Sequence, residues 1–143
     1  MRIIRAFPPN FARIASVFPA VKGRQGILYA WGDTIYNPSG IKVLPYLVAH
    51  ERVHGMRQGG AIEDWWDKYL HDTKFRRYEE VLAHQTEWQA FLDTGPNCHE
   101  QELYLTMIAQ RLSSKLYGNM VCEVEAKDLI GRLEERCVSM PLR

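Results

Sequence analysis

The sequence contains few cysteines, and their spacing excludes two classes of small protein. Among 143 residues there are three, Cys98, Cys122 and Cys137, and no two of them form a C-x-x-C pair. A disulfide framework is typically built on an even set of cysteines, and a thiolate zinc knuckle on such pairs. We therefore expect reduced cysteines with a structural role.

The sequence also lacks a long hydrophobic run and an excess of charge. No segment approaches the roughly 18 to 20 consecutive apolar residues that a membrane-spanning helix requires. Near the N-terminus, Arg5 and the pair Pro8-Pro9 interrupt the apolar residues, which is not the pattern of a signal peptide. Lys and Arg number 18 against 17 Asp and Glu, a formal charge of +1. We expect a cytoplasmic protein with neither a nucleic acid nor a membrane as partner.

The overall composition is that of an ordinary globular domain. Hydrophobic residues make up 46% of the chain and charged residues 24%. A chain of 143 residues suits one domain, which we place at residues 1–143. Any active site is therefore expected within a single compact core.

The first forty residues favour strands and turns. Arg2 to Phe7 predicts a short strand, and the stretch from Pro8 to Gly26 is expected to be irregular. The segments 27–31 and 34–36 are separated by Gly32-Asp33, which predicts an antiparallel hairpin. We therefore expect a small N-terminal antiparallel sheet.

The rest of the chain favours helices, because apolar residues recur at helical spacing between clear start and stop signals. Pro45 suits a first helical position, Asp72 suits an N-cap, and Gly59-Gly60 and Gly95-Pro96 suit helix ends. The predicted helices cover residues 45–58, 62–70, 73–92, a segment from Leu103 that ends at Gly118, and Val121 to about Arg136. A small sheet followed by four or five helices is an α+β pattern.

A pattern that carries chemistry lies inside the helix predicted at residues 45–58. His50-Glu51-Arg52-Val53-His54 is an H-E-x-x-H sequence. Positions i and i+4 share one helix face, so both imidazoles can bind one metal ion, and two imidazoles with an oxygen ligand suit zinc. Glu51 would then lie beside the metal, where it can take a proton from water and pass it to a leaving amine. The alternative is a surface helix whose histidines are merely polar.

A third ligand is expected on the helix predicted at residues 73–92. Glu80, His84 and Glu87 recur at i, i+4 and i+7 and form one polar stripe, which is otherwise typical of a solvated face. We predict Glu80 as the third metal ligand, with Glu79 as the alternative about 100° around the helix. His84 and Glu87 are expected to orient a ligand or to line the substrate cleft.

These residues resemble those of the gluzincin metallopeptidases, in which a Glu is the third zinc ligand. Glu80-Val81-Leu82-Ala83-His84 matches that Glu and has His84 where the family commonly has Asp. A closer resemblance, over roughly residues 30 to 130, is to small zincin-like proteins of tailed bacteriophages and prophages. It rests on Gly32-Asp33-Thr34-Ile35-Tyr36 with Pro38, the sequence from His50 to His54, Trp65 to Leu70, Phe75-Arg76, Arg111 to Ser114, and Leu116-Tyr117-Gly118.

The resemblance implies a minimal zincin-like fold, a bound zinc ion and peptidase activity. It also implies that the segment 27–31 is an edge strand able to pair with an extended peptide substrate. Peptide hydrolysis needs a hydrogen-bond donor for the developing oxyanion. The candidates, of which Tyr36 is also a candidate for the substrate cleft, are Tyr36, Tyr104, Tyr117 and His84.

Other prominent residues are interpreted as structural. Trp65 and Trp66 are expected in the core, with the wall of a cleft as the alternative. The pair Arg76-Arg77 is expected to be solvated, and His71 and His99 are expected to play no part in metal binding.

The resulting hypothesis is a zinc-dependent peptidase that acts on a peptide or protein substrate, with Glu51 as general base and then acid. Two alternatives stay open: a zinc-binding phage structural or host-interaction protein without turnover, and a zinc-dependent hydrolase of another amide. A phage-encoded protein would be found in the host cytoplasm or in the virion. A water-accessible cleft over the metal would favour an enzyme, and a fourth protein ligand would favour the silent protein.

Overall fold

The computed structural model describes residues 1–131, which form a small sheet and six helices. The strands are β1 (Arg2–Ile4), β2 (Tyr29–Trp31) and β3 (Thr34–Tyr36). The helices are α1 (Phe11–Val17), α2 (Pro45–Gln58), α3 (Ile62–His71), α4 (Thr73–Leu92), α5 (Cys98–Leu112) and α6 (Glu123–Gly131), with 3-10 turns at Pro19–Val21 and Lys115–Tyr117. The predicted α+β class is confirmed, and five of the described helices follow the sheet.

The sheet is mixed, so the prediction of an antiparallel sheet was only half right. Its strand order is β1-β3-β2. The predicted hairpin is confirmed, because β2 runs antiparallel to β3 with Tyr29 opposite Tyr36. β1, however, runs parallel to β3, with Ile3 opposite Ile35. A tight turn dictates direction only for the two strands that it joins, whereas β1 reaches the sheet through a long connection that contains α1.

Helix α1 lies in the stretch that was expected to be irregular. It has only seven residues, too few for a helix to be stable by itself. Its Ile14 and Ala15 are buried and belong to one apolar cluster with residues of the sheet and of α3. The formation of α1 therefore depends on tertiary packing, which cannot be recognised from a local sequence pattern.

Helices α2 and α4 have the predicted boundaries. Pro45 occupies the first position of α2, and Gly59 ends it with a positive φ of 53°. The Asp72 side chain accepts a hydrogen bond from the Phe75 backbone N–H at 3.1 Å and caps α4. α5 ends at Leu112, earlier than predicted, and a 3-10 turn closed by Gly118 follows it. The part of the last predicted helix beyond Gly131, and Cys137, lie outside the described residues.

The buried apolar side chains form two clusters. The first cluster joins α1, β2 and α3, and consists of Ile14, Ala15, Val21, Tyr29, Trp65, Trp66, Tyr69 and Leu70. The second cluster joins α4, α5 and α6, and consists of Trp88, Tyr104, Leu105, Ile108, Ala109, Leu112, Val121, Ala126 and Ile130. Helices α2 and α4 make the most extensive contact of any pair of described elements.

Within residues 1–131, no helix combines the length and apolar character needed to cross a membrane.

Helix α2 approaches the turn between β2 and β3 closely at Gly55. A Cβ atom at Gly55 would lie 2.3 Å from the carbonyl oxygen of Gly32. One turn later, the Gln58 side chain accepts a hydrogen bond from the Gly32 N–H at 2.7 Å and donates one to the Ala30 carbonyl at 2.9 Å. These contacts hold the H-E-x-x-H helix at a fixed distance from the sheet.

We expect Gly55→Ala to lower the free energy of unfolding by about 1–3 kcal/mol, because the added methyl group must push α2 away from the turn. Gly60→Ala is the matched control, since a Cβ there would meet no atom within 4 Å and Gly60 has no positive φ. Urea denaturation of both variants measures the difference. Equal stabilities would contradict the close approach of α2 to the turn.

Candidate metal centre

Six ionisable side chains meet between α2 and α4, and we call them the His/Glu cluster: His50, Glu51, His54, Glu80, His84 and Glu87. The first three lie on α2 and the last three on α4. Each is at most 7% exposed. The predicted stripe on α4 is therefore a buried face and not a solvated one, because it packs against the H-E-x-x-H face of α2.

Three donor atoms of the cluster have the spacing that a tetrahedral zinc ion requires. His50 Nε2 and His54 Nε2 are 3.2 Å apart, and His54 Nε2 lies 3.2 Å from Glu80 Oε1. His50 Nε2 lies 3.6 Å from Glu80 Oε2. Ligand atoms about 2.0–2.1 Å from a tetrahedral zinc ion are about 3.3–3.4 Å apart. The donor set and its spacing thus fit zinc.

Unpartnered polar atoms in the cluster support the same conclusion. Glu80 Oε2, His54 Nδ1 and His84 Nε2 are buried and make no hydrogen bond to any described residue. Buried polar atoms nearly always have a partner, because removal from water without one is costly. A metal ion beside Glu80 would supply such a partner to its carboxylate.

The structure separates the two candidates for the third ligand. Glu80 lies against His50 and His54. The neighbouring Glu79 faces away from them, and its Oε2 accepts a hydrogen bond from Arg57 Nε at 2.6 Å. Glu80, and not the alternative Glu79, is therefore in position to bind a metal.

The predicted role of orienting a ligand falls mainly on Glu87. Its Oε1 accepts a hydrogen bond from His50 Nδ1 at 2.8 Å, which leaves His50 Nε2 to face Glu80. Such a carboxylate behind a ligand histidine fixes its tautomer and its ring orientation. His84 Nδ1 lies 3.2 Å from the same Glu87 oxygen, and its ring stacks edge-on to that of His50 at 4.5 Å between centroids. His84 therefore supports the same arrangement from the other side.

Two tyrosines from outside α2 and α4 complete the hydrogen bonds of the cluster. The Tyr69 hydroxyl donates to Glu80 Oε1 at 2.5 Å, and the Tyr104 hydroxyl donates to Glu87 Oε2 at 2.5 Å. The sequence pattern did not predict Tyr69, because it lies on α3 and only tertiary packing brings it to Glu80. Tyr104 is engaged by Glu87 and so is not available as an oxyanion donor.

The charges of the cluster compensate one another. Burial alone would lower the pKa of His50, but its hydrogen bond to Glu87 and the charges of Glu51, Glu87 and Glu80 raise that pKa to about 9. Burial alone would raise the pKa of Glu80, but His54, His50 and His84 lower it to about 2. Without a metal, an ionised Glu80 thus faces a protonated His50. Zinc binding competes with that proton.

Glu51 differs from the other two carboxylates of the cluster in having no bonded partner among the described residues. It makes no hydrogen bond or ion pair with any residue in the described part of the chain. Burial raises its pKa, and the neighbouring His50 and His54 act in the opposite direction. A carboxylate with a raised pKa and free oxygens suits proton transfer near neutral pH.

Two cavities meet at the His/Glu cluster. The first, which we call the aromatic cavity, has a volume of about 60 Å³ and is lined by His54, Trp65 and Trp66 among others. The second, which we call the arginine cleft, has a volume of about 270 Å³ and contains Arg24, Arg111, His84 and Glu87. Both are bordered by Ile27, Leu28, His50, Glu51, Leu116 and Tyr117. Space for water thus lies directly beside the candidate ligands.

Of the four predicted oxyanion donors, Tyr117 has the most suitable position. It borders both cavities, and its hydroxyl makes no hydrogen bond within residues 1–131. Burial raises the pKa of Tyr117 well above its usual value, so the phenol stays protonated and can donate. Tyr36 lies on β3, packs against the first apolar cluster and is not among the residues that line either cavity. The expected role of Tyr36 in a substrate cleft thus has no support in these contacts.

The expectation that Arg76 is solvated was wrong. Its side chain is buried, and its guanidinium donates to the carbonyl oxygens of Tyr69 at 2.8 Å and Tyr117 at 3.0 Å. These carbonyls lie near the ends of α3 and of a 3-10 turn, where no helical partner exists. Arg76 therefore fixes the backbone of Tyr117. Arg77 is more exposed and pairs with Glu125.

The edge strand β2 is available to a peptide over only part of the predicted segment 27–31. The Ala30 carbonyl already accepts hydrogen bonds from Gln58 at 2.9 Å and from Trp66 Nε1 at 3.2 Å. The backbones of Ile27 and Leu28, which border both cavities, make no hydrogen bond to described residues. Peptide pairing would therefore be confined to Ile27 and Leu28.

Trp65 and Trp66 belong to the core and also line the aromatic cavity. The expected core position and the alternative, the wall of a cleft, therefore both apply to them.

Comparisons of the chain with protein-family profiles, with curated proteins and with solved structures find no match. The resemblance to gluzincins and to phage zincins therefore stays a prediction.

Loss of a hydrogen-bond partner behind a metal ligand typically weakens metal binding by roughly 10–100-fold. We expect Glu80→Gln to weaken zinc binding by more than this, because it removes the charge of a ligand itself. Glu79→Gln is the matched control and should keep the zinc affinity of the parent. Competition with a chromogenic chelator measures both affinities, and circular dichroism checks that both variants fold. Loss of zinc from Glu79→Gln but not from Glu80→Gln would contradict the ligand assignment.

Proposed function

We propose that this protein is a zinc-dependent peptidase of the gluzincin type. The observation that carries the proposal is the spacing of His50 Nε2, His54 Nε2 and the Glu80 carboxylate, beside a Glu51 that borders two cavities. At this position His50, His54 and Glu80 offer donor atoms that all lie within 4.8 Å of one another. His50, His84 and Glu87 form a second group of this kind, and His84 Nε2 lies 3.6 Å from Glu80 Oε2. We assign the metal to the first group, because both oxygens of Glu87 already accept hydrogen bonds, whereas Glu80 Oε2 has no such partner among the described residues. Three protein ligands leave a position for water or substrate, which is typical of catalytic zinc and not of structural zinc.

Bound zinc would polarise a substrate carbonyl and acidify a water molecule. Glu51 would accept the proton of the attacking water and later deliver it to the leaving amine. Two features of Glu51 suit this role: its oxygens have no other partner among residues 1–131, and burial raises its pKa. Such a positioned general base typically contributes roughly 10²–10⁴-fold to the rate.

Tyr117 would stabilise the negative charge that develops on the substrate oxygen. Its phenol borders the same two cavities as Glu51 and is free to donate within the described part of the chain. Arg76 donates a hydrogen bond to the backbone carbonyl of Tyr117 at 3.0 Å and so fixes the backbone that carries the phenol. Leu28, which also borders both cavities, offers unpaired backbone groups to an extended peptide.

The cavities favour an enzyme over a zinc-stabilised phage structural or host-interaction protein. A metal site that only stabilises a fold does not require a buried carboxylate without hydrogen bonds, placed beside the ligands at a cavity that can hold water. The unpaired edge at Leu28 favours a peptide over another amide as substrate, because backbone pairing selects extended chains.

We expect Glu51→Gln to reduce peptide cleavage by at least roughly 100-fold while zinc content stays at one equivalent, because the amide cannot accept the proton. Mass spectrometry of a randomised peptide library incubated with the zinc-loaded protein measures cleavage, and atomic absorption measures zinc. Glu63→Gln, on the exposed side of α3, is the matched control and should cleave like the parent. Cleavage by Glu51→Gln at the rate of the parent would show that the mechanism is wrong.

In the same assay, we expect Tyr117→Phe to lower kcat by roughly 100-fold, because it removes one donor to the oxyanion. Its KM and zinc content should change little, since the aromatic ring and the metal ligands remain. An unchanged kcat would remove Tyr117 from the proposed mechanism.

A further inference from the structure

The arginine cleft holds two positive charges that the described protein does not neutralise. Arg111 lies in the last turn of α5, and Arg24 lies in the loop after the first 3-10 turn. Neither makes an ion pair or a side-chain hydrogen bond with residues 1–131. Arg13, Arg57, Arg76 and Arg77 do have such partners, whereas Arg2, Arg5 and Arg52 have none among the described residues and do not line this cleft.

Neither acidic group of the cleft pairs with Arg24 or Arg111. Both oxygens of Glu87 accept hydrogen bonds, Oε1 from His50 and Oε2 from Tyr104. Glu51 faces the cleft without an ion pair to any described cation. An additional carboxylate entering the cleft would therefore find Arg24 and Arg111 available.

Arg111 lies close enough to the reaction site to act on a substrate there. It borders the same cleft as His50 and Glu51. Its charge also reaches Tyr117: burial raises the pKa of that phenol, and the positive charge of Arg111 opposes the shift. A peptide whose cleaved bond lies at Glu51 would therefore place its neighbouring residues within reach of Arg111.

The two cavities, both lined by Glu51, differ in chemistry. The residues that line the aromatic cavity include no Lys or Arg, and its walls are mainly apolar, with Trp65 and Trp66 among them. The arginine cleft is larger and carries two guanidinium groups, whose planar donors match a carboxylate. One side of the bond would thus select an apolar residue, and the other side a negative charge.

We propose that Arg111, assisted by Arg24, binds a carboxylate of the substrate next to the cleaved bond. The enzyme would then prefer peptides that present either an acidic side chain or a free C-terminal carboxylate to the arginine cleft. This inference rests on the proposed peptidase function, and it names the class of substrate for that same site.

The test uses N-acetylated hexapeptides of alanine and leucine in four forms. They carry Glu or Gln at the fourth position, and each ends in a free carboxylate or in an amide. We expect the zinc-loaded protein to cleave at least one carboxylate form with a kcat/KM about tenfold above that of its uncharged counterpart, as a charge-assisted hydrogen bond at an exposed arginine would give. The Glu and Gln pair reports an acidic side chain, and the carboxylate and amide pair reports a free C-terminus.

Arg111→Gln should abolish most of that preference, measured as the ratio of kcat/KM between the charged and uncharged peptides, and Arg24→Gln should reduce it, while zinc content stays unchanged. Arg2→Gln is the matched control, because Arg2 is exposed on β1 and is not among the residues that line the described cavities. An equal kcat/KM for all four peptides, or a preference that survives in Arg111→Gln, would overturn the inference.

Calorimetric binding of the same peptides to zinc-loaded Glu51→Gln separates this inference from the proposed function. If the parent cleaves no peptide but Glu51→Gln binds the carboxylate forms in an Arg111-dependent way, the peptidase proposal fails and the carboxylate site stands. If peptides are cleaved but neither cleavage nor binding depends on their charge, the carboxylate site fails and the peptidase proposal stands.

Discussion

The structure depends on the burial of six ionisable side chains between α2 and α4. Burial of carboxylates and imidazoles is costly unless charges and hydrogen bonds compensate for it. In this protein the compensation is partial: Glu87 is fully hydrogen-bonded, Glu80 keeps an unpartnered oxygen, and Glu51 has no hydrogen bond within residues 1–131. Perturbed and incompletely paired groups of this kind are typical of functional sites. A zinc ion would supply the missing positive charge.

The surrounding fold holds the six buried ionisable side chains in position. Gly55 lets α2 approach the β2 to β3 turn, and Gln58 fixes it there with two hydrogen bonds. The two apolar clusters flank the His/Glu cluster, and each sends one tyrosine hydroxyl to a carboxylate of α4. The small sheet and the flanking helices thus act as supports for two helices whose facing surfaces carry the chemistry.

The sequence predicted those parts of the site that depend on local helical geometry. The caps at Asp72 and Gly59 are local signals, so the bounds of α4 and α2 agree with the prediction. Periodicity likewise placed Glu80 on the face that meets His50. The direction of β1 and the helix at 11–17 were missed, because long connections and tertiary packing decide them. The buried Arg76, and the division of roles between Glu87 and His84, depend on contacts between elements distant in sequence.

Anomalous diffraction at the zinc absorption edge, from crystals of the zinc-loaded protein, locates the bound metal. We expect one strong peak bounded by His50 Nε2, His54 Nε2 and the Glu80 carboxylate, with no fourth protein ligand and with Glu51 beside it. A peak elsewhere, for example at the exposed Cys98 or Cys122, would contradict the claim. A fourth side chain closing the coordination sphere would contradict it equally, because no position would then remain for water or substrate.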